Sequence, residues 1–149
     1  MSEVLVSVVP TEHVMSVWPQ VEGYIQNALK YTYGRYELED VLHQLLNDGH
    51  LLWIAFEGHH IKGAVVTHFV YYPRKKYLGC PFVTGEEFST WKDPMLSMLQ
   101  RFASDNQCDG LEATARLGWS KVFKGDGYEA LWQTFQLPAG GAGVGDVNG

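Results

Sequence analysis

The chain has 149 residues, of which 46% are hydrophobic and 13% aromatic, and its formal net charge is −6. A chain of this length buries about two thirds of its surface on folding, so it needs no disulfide or metal staple and is not largely disordered. The net negative charge argues against sequence-independent binding to nucleic acid, and no apolar run approaches the roughly 20 residues that cross a bilayer.

The first fifty residues predict one strand followed by helices. Residues 3–9 are β-branched and apolar up to Pro10, which is typical of a strand. Apolar residues at three-and-four spacing over 14–29 predict a helical region, in which Pro19 should cause a kink or a break into two helices. A second apolar stripe over 38–46 predicts another amphipathic helix.

The middle of the sequence predicts an antiparallel meander, because the apolar period changes to two and short turns separate the apolar runs. The three predicted strands cover residues 51–56, 61–72 and 77–84. The second turn carries the basic run Arg74-Lys75-Lys76. A solvated turn is the simpler interpretation of this run, and a contact for a ligand phosphate is the alternative.

The last third predicts a helix, a β-α-β unit and a tail. Asp93 is predicted to be the N-cap of a helix, with Pro94 in its first position and its end near Asn106. We then expect a strand over 108–116, a short helix over 117–124, a strand over 130–137 and a flexible Gly-rich tail over 138–149.

The predicted order β-α-α-β-β-β-α-β-α-β describes a single α/β (α+β) domain over residues 1–137. A meander followed by a β-α-β crossover predicts a mixed central sheet with antiparallel and parallel strand pairs. Helices are expected on both faces of that sheet, because each face is apolar and must be covered.

Several short motifs add to this order of elements. An apolar strand, Leu52–Gly58, turns and returns with Ile61-Lys62-Gly63-Ala64, and Gly127-Tyr128-Glu129 precedes the predicted last strand. These features resemble the GNAT superfamily of N-acetyltransferases over roughly residues 3–137. Three shorter segments, residues 17–19, 72–74 and 116–119, resemble small GNAT-like proteins that tailed bacteriophages encode.

The resemblance implies that acetyl-CoA binds where the fourth and fifth strands diverge, so that strand backbone pairs with the pantetheine arm. In the fourth predicted strand, Gly79 and Pro81 suit a strand that is bulged and unpaired on one side. The cofactor-binding residues implied in this way are Cys80, Phe82, Val83, Thr84, Gly85 and Lys92.

The loop after the fourth strand departs from the pattern of the family. GNAT proteins carry Gln/Arg-x-x-Gly-x-Gly/Ala there, and the small residues let backbone N–H groups reach the pyrophosphate. Residues 85–94 of this chain contain one glycine and three carboxylates, Glu86, Glu87 and Asp93, which would repel phosphates. The pyrophosphate loop is therefore predicted to be degenerate.

The catalytic groups that the resemblance implies are also incomplete. Many GNAT proteins place a proton-donating tyrosine four residues before the Gly-Phe pair, and Phe123 occupies that position here. Glu112 on the fifth strand and His68 on the third are the nearest candidates for a general base. The simpler interpretations are a solvent-facing carboxylate for Glu112 and a partly buried, backbone-bonded histidine for His68.

Other kinds of site are not favoured. No pair of histidines has the spacing of a metal site, so no metal is expected. Cys80 would be a nucleophile only beside a base, and a place in the core or lining a cleft is the simpler interpretation. Two cysteines, Cys80 and Cys108, and an N-terminus without a signal peptide predict a cytoplasmic protein, in the host cytoplasm or virion if a phage encodes it.

Three functions remain open at this level. The first is an N-acetyltransferase that moves an acetyl group from acetyl-CoA to a small amine or a protein amino group. The second is a non-catalytic phage protein with a protein partner in assembly or in the virion, with an apolar patch drawn from Val70, Tyr72, Phe88 and Trp91 unless those residues are buried. The third keeps the fold but binds another acyl thioester, or a peptide, along the open strand.

Overall fold

The computed structural model describes residues 3–114, 125 and 127–139. The regular elements are β1 (Val4–Val9), α1 (Val14–Leu29), α2 (Leu38–Asn47), β2 (Leu51–Glu57), β3 (His60–Tyr71), β4 (Lys76–Gly85), α3 (Lys92–Asp105) and β5 (Gly110–Ala113). Two 3-10 turns, Thr11–His13 and Phe88–Thr90, precede α1 and α3. The chain divides into two compact units, Met1–Arg116 and Leu117–Gly149.

The five strands form one sheet in the order β1-β2-β3-β4-β5. Neighbours among the first four strands are antiparallel, whereas β5 runs parallel to β4. A parallel neighbour needs a crossover connection, which α3 provides. The predicted meander and the predicted mixed sheet are both confirmed.

Two apolar cores lie on opposite faces of the sheet, as the alternation along β2 shows. Leu52 belongs to the core that includes residues of α1 and α2, and its neighbour Trp53 belongs to the core that includes residues of α3. Because successive strand residues point to opposite faces, helices cover both sides of the sheet, as predicted. We call these sides the α1–α2 face and the α3 face.

Two alternatives were predicted at Pro19: the break into two helices is wrong, since α1 is one helix from Val14 to Leu29, and the kink stays a prediction. Pro19 and the residue four positions earlier, Met15, both lie on the exposed side of α1. The carbonyl that loses its hydrogen bond to the proline can therefore turn to water. Trp18 and Val21 on the opposite side are buried in the core and hold the helix in place.

The predicted N-cap of α3 is also wrong. The N-cap is Trp91, so Asp93 and Pro94 are the second and third residues of the helix, and no side chain caps it. The chain is already helical before Asp93, because the 3-10 turn leads into α3 through a hydrogen bond from Trp91 N to Phe88 O of 3.1 Å. Asp93 still lies in the first turn, where the helix dipole favours a negative charge.

The predicted strand over residues 130–137 is not found. Residues 128–139 contain no helix or strand, and the side chains of Trp132 and Phe135 are 68% and 86% exposed. An alternating apolar pattern forms a strand only beside another strand that completes its hydrogen bonds, and residues 127–139 contain no such partner.

Parts of the predicted end of the chain lie outside the described residues. These are the short helix over 117–124, which includes Phe123, and the tail from residue 140 onward. The predicted strand over 108–116 is found as the shorter β5, Gly110–Ala113. The domain boundary placed after residue 137 stays a prediction.

Candidate functional site

A bulge interrupts β4 near its middle. Val66 of β3 pairs with Phe82, and His68 pairs with Gly79, so a step of two residues on β3 faces a step of three on β4. The extra residue falls where Pro81 lies, and proline has no N–H to give to a ladder. The bulge that the sequence predicted is therefore confirmed at its predicted place.

The pairing between β4 and β5 covers only the first half of β4. The parallel register runs from Tyr77–Gly110 to Cys80–Ala113 and ends there, whereas β4 itself continues to Gly85. Within residues 3–114, no strand pairs with residues 81–85 of β4 on the side of β5. This half of the strand therefore presents backbone groups that no described strand satisfies.

Most side chains of the predicted cofactor-binding residues on β4 are buried inside the protein. Cys80 is 4% exposed in the core of the α3 face, and Phe82 is 5% exposed in the core of the α1–α2 face. Thr84 donates a 2.8 Å hydrogen bond to the carbonyl of Tyr24 in α1. What β4 offers to a ligand is thus its backbone rather than these side chains.

The remaining predicted cofactor residues are divided between two elements. Val83 is half-buried and Gly85 is exposed at the end of β4. Lys92 lies at the start of α3, where its Nζ is 3.9 Å from Asp93 Oδ1. Their role in binding a cofactor stays a prediction.

The structure does not favour Cys80 as a nucleophile. Burial raises the pKa of the Cys80 thiol to about 12, so the thiol is neutral at physiological pH. We expect alkylation of the native protein at pH 8, followed by peptide mass mapping, to modify Cys108, which is half-buried, well before Cys80. Denatured protein is the control, since both thiols should then react at similar rates. Equal rates in the native protein would contradict this prediction.

The two candidate bases lie on one face of the sheet, on either side of Gly79. His68 of β3 and Glu112 of β5 are both register partners of Gly79, and directly paired residues project to the same face. A Cβ on Gly79 would lie 2.8 Å from Val70 Cγ2 and 3.4 Å from His68 Nε2, so side chains of β3 pack directly over this glycine. With two strand spacings between them, their Cα atoms lie roughly 10 Å apart.

Glu112 is held by a tyrosine. The Tyr72 hydroxyl donates a 2.7 Å hydrogen bond to Glu112 Oε1, and the ring of Tyr72 packs edge-on against Tyr77 with centroids 5.9 Å apart. The hydrogen bond to the carboxylate raises the pKa of Tyr72, and burial adds to the rise. Glu112 is therefore not simply a solvent-facing carboxylate.

His68 is held by a second histidine. The rings of His50 and His68 are stacked with centroids 4.6 Å apart and planes 8° apart. Burial, and then the neighbouring His68, lower the pKa of His50. The Nδ1 atom of His50 is buried and has no hydrogen-bond partner in the described part of the chain. The sequence did not indicate a role for His50, which lies between α2 and β2. His50 meets His68 only because the sheet places β2 beside β3.

The loop between β4 and α3 is closed by its own hydrogen bonds. Glu86 N donates to the carbonyl of Lys62 at 2.7 Å, and the indole N–H of Trp91 donates to the carbonyl of Glu86 at 2.9 Å. Within the 3-10 turn, Thr90 N donates to the carbonyl of Glu87 at 2.9 Å. Three N–H groups of this segment are therefore already used inside the protein.

Two carboxylates of this loop contact side chains of β3. Glu87 contacts the Nζ of Lys62, whose side chain is only 6% exposed and also lies 3.4 Å from Glu57 Oε1. Glu86 Oε1 is 2.6 Å from His60 Nε2. The hydrogen bond with Glu87 raises the pKa of Lys62, and the hydrogen bond with His60 lowers the pKa of Glu86.

Acetyl-CoA, the cofactor that the resemblance implies, fits this site only in part. The backbone along residues 81–85 matches what a pantetheine arm requires. The loop matches the pyrophosphate poorly, because the amides of Glu86, Thr90 and Trp91 already donate within the protein and the loop carries the carboxylates Glu86 and Glu87. The predicted apolar patch is also incomplete, since Trp91 is fully buried.

A second feature of the α1–α2 face is a shallow groove of about 590 Å³ between the end of α1 and the start of α2, lined in part by Trp18, Leu29, Tyr36 and Leu42. Tyr36 also packs edge-on against Phe82 of β4, with ring centroids 5.8 Å apart.

No group of three or more metal-binding side chains occurs in the described residues. No helix in that part of the chain is long and apolar enough to span a bilayer.

Comparison with known proteins finds similarity in structure alone. No family model matches the chain, and no curated protein matches it. Among solved structures, the chain is similar to a ribosomal-protein-alanine N-acetyltransferase from Brucella melitensis, with a TM-score of 0.67, 14% identity, and coverage of 91% of this chain and 99% of the other.

Two further structures show the same likeness. An aminoglycoside N-acetyltransferase in complex with CoA has a TM-score of 0.69, 12% identity, and coverage of 93% of this chain and 95% of the other. A predicted acetyltransferase with acetyl-CoA from Clostridium acetobutylicum has a TM-score of 0.64, 14% identity, and coverage of 91% and 96%. With the mixed sheet and the helices on both faces, these likenesses show that the protein has the GNAT fold of N-acetyltransferases.

Proposed function

We propose that the protein is an N-acyltransferase that binds the pantetheine arm of an acyl thioester along residues 81–85 of β4. The observation that carries this proposal is the bulge in β4 together with the end of the β5 pairing at Cys80. Backbone N–H and C=O groups at a strand edge recognise an extended amide-containing chain in the way an added strand does. A pantetheine arm has this character.

The acceptor in this proposal is an amine on the α1–α2 face, beside Gly79. The thioester supplies an activated acyl group when it is bound. Glu112 or His68 takes a proton from the amine, which must be neutral to attack. The C–N bond of the amide forms as the C–S bond of the thioester breaks, and the departing thiolate takes its proton from water. Tyr72 is a positioning residue, because its hydroxyl fixes one oxygen of Glu112. A small amine and a protein amino group both meet this requirement.

A second candidate is a non-catalytic protein that retains the fold, such as an assembly or virion component of a tailed phage. The internal contacts of the loop after β4 favour it, since Lys62 contacts Glu87 and His60 contacts Glu86 without any ligand. Phe123, at the position of the general acid, is consistent with the same idea. Its cytoplasmic or virion location and its protein partner stay predictions.

The test uses calorimetric titration and a thiol-release assay with S-acetylpantetheine, acetyl-CoA and a panel of primary amines. We expect binding of a thioester, with release of free thiol that depends on the amine. Glu112→Gln and His68→Gln should retain binding, and the variant that loses the base should lose about 100-fold in turnover. Glu39→Gln, an exposed carboxylate on α2, is the control and should change neither quantity.

The outcomes separate the two candidates. Thioester binding without any transfer would favour the non-catalytic protein. Absence of binding to either thioester at millimolar concentration, measured also as absence of thermal stabilisation, would overturn the proposal that β4 holds a pantetheine arm.

A further inference from the structure

We infer that the donor is a pantetheine thioester recognised through its uncharged arm, and that the site discriminates against the diphosphate of CoA. This inference rests on the proposed function and names the class of donor. It follows from the loop between β4 and α3, which is the place where the charged end of a donor lying along β4 would emerge. Four observations on this loop carry it.

The first observation is that three backbone amides of this segment already donate within the protein, and a fourth residue has no amide hydrogen. The amides of Glu86, Thr90 and Trp91 donate within the protein at 2.7, 2.9 and 3.1 Å, and Pro94 has no amide hydrogen to donate. An anion site at a helix N-terminus requires such groups to point at the ligand. Opening this turn for a phosphate would break hydrogen bonds that it already has.

The second observation concerns charge. Lys62 is enclosed by Glu87 and Glu57, so the buried cation of β3 under the loop is already neutralised, and the His60 ring lies 2.6 Å from Glu86 Oε1. With Asp93, four carboxylates lie at this end of the sheet, against the cations Lys62 and Lys92 and the histidine His60. A diphosphate would meet an excess of negative charge, whereas an uncharged arm would not.

The third observation is that the loop has no room to move towards β3. A Cβ placed on Gly63 would lie 2.3 Å from Cζ2 of Trp91, so the indole ring rests directly on the backbone of β3. Trp91 is fully buried, and its N–H is fixed by the carbonyl of Glu86. The ring therefore fixes the position of the loop relative to β3.

The fourth observation is that the residue joining β4 to the loop lies in close contact with the backbone of β3. Gly85 has φ +141°, and a Cβ there would lie 2.3 Å from the carbonyl oxygen of Lys62. The strand thus passes into the loop at van der Waals contact with β3. The closed loop is a continuation of the same strand that offers its edge to the arm, so arm binding and phosphate exclusion are compatible.

The experiment compares three donors that carry increasing phosphate charge: S-acetylpantetheine, S-acetyl-4′-phosphopantetheine and acetyl-CoA. Calorimetric titrations of the full chain are made at about 0.05 and 0.5 M salt. We expect acetyl-CoA to bind at least tenfold more weakly than S-acetylpantetheine at low salt, with the phosphorylated arm between them. The difference should shrink at high salt, because salt screens the repulsion between exposed charges.

A charge variant tests the cause. Glu86→Gln removes a carboxylate of the loop that is half exposed, and should raise the affinity for acetyl-CoA about threefold without changing that for S-acetylpantetheine. Glu12→Gln makes the same charge change at an exposed site before α1, and should change neither affinity. Circular dichroism of both variants confirms that the fold is retained.

The outcomes are distinct from those of the proposed function. If acetyl-CoA binds more tightly than S-acetylpantetheine and 3′,5′-ADP displaces it, the inference is overturned while the proposed function stands. If neither donor binds, both are overturned. The expected order of donors, together with the Glu86→Gln effect, supports both.

Discussion

Replacing Gly85 by alanine is expected to lower the free energy of unfolding by about 3 kcal/mol. A Cβ at this position would lie 2.3 Å from the carbonyl oxygen of Lys62 and 2.5 Å from the Cα atom of Gly63. Both are backbone atoms of β3, which cannot move aside as the end of a side chain can. The conformation at Gly85, with φ +141°, adds strain for any L side chain. Urea unfolding followed by tryptophan fluorescence measures the loss.

The control for this prediction is Gly58→Ala in the turn between β2 and β3. Gly58 also has a positive φ, +60°, but a Cβ there would meet nothing within 4 Å. Only the conformational cost remains, so we expect a loss of about 1 kcal/mol. Equal losses in the two variants would show that close contact with β3 is not what Gly85 provides.

Replacing Trp91 by alanine is expected to lower the free energy of unfolding by about 4 kcal/mol. The indole is fully buried, packs edge-on against Phe88 with centroids 4.9 Å apart, and donates to the carbonyl of Glu86. Its loss leaves a cavity under the loop and a carbonyl without its donor. Urea unfolding by circular dichroism is the measurement, because the variant lacks one of the fluorescent residues.

Trp132→Ala is the matched control. Trp132 is 68% exposed, so the same truncation should change the free energy of unfolding by less than about 0.5 kcal/mol. A large loss for Trp132→Ala would mean that this side chain makes contacts that its exposure does not reveal. A small loss for Trp91→Ala would mean that the loop does not depend on the ring beneath it.

These two residues connect stability to the candidate site. Gly85 ends β4, whose edge is the proposed binding site, and Trp91 packs against Gly63 of β3 beneath the loop. In a typical anion-binding loop, small residues leave backbone N–H groups free for the ligand. In the loop between β4 and α3, the buried ring of Trp91 and the carboxylates of Glu86 and Glu87 make contacts within the protein, and these contacts stabilise the loop.

The candidate site was predictable where local chemistry decides it. Gly79 and Pro81 are poor residues for a continuous ladder, and the bulge lies where they do. The pairing of His68 and Glu112 around Gly79 depends on register, which the sequence does not specify. The stacking of His50 on His68, and the contact of Glu87 with Lys62, join residues far apart in the chain and were not predicted.

The errors in the predicted elements arise from structure outside the residues that carry the local preference. Pro19 and Asp93 carry strong local preferences, for a break and for an N-cap, and both were overridden by packing nearby. Trp18 and Val21 hold α1 together through Pro19, and the turn over Phe88–Thr90 starts α3 before Asp93. Residues 130–137 have the alternation of a strand, but residues 127–139 hold no strand to pair with it.

By itself, the sequence determined which segments of the first 113 residues are helices and strands, because the apolar period is a local property of the chain. It also determined the bulge, which follows from the residue types at Gly79 and Pro81. Only the tertiary structure decided that the pairing of β5 with β4 ends at Cys80, that Glu87 contacts Lys62, and that two histidines stack beside Gly79. Those features depend on strand register and on which faces meet, and both are set by the packing of distant segments.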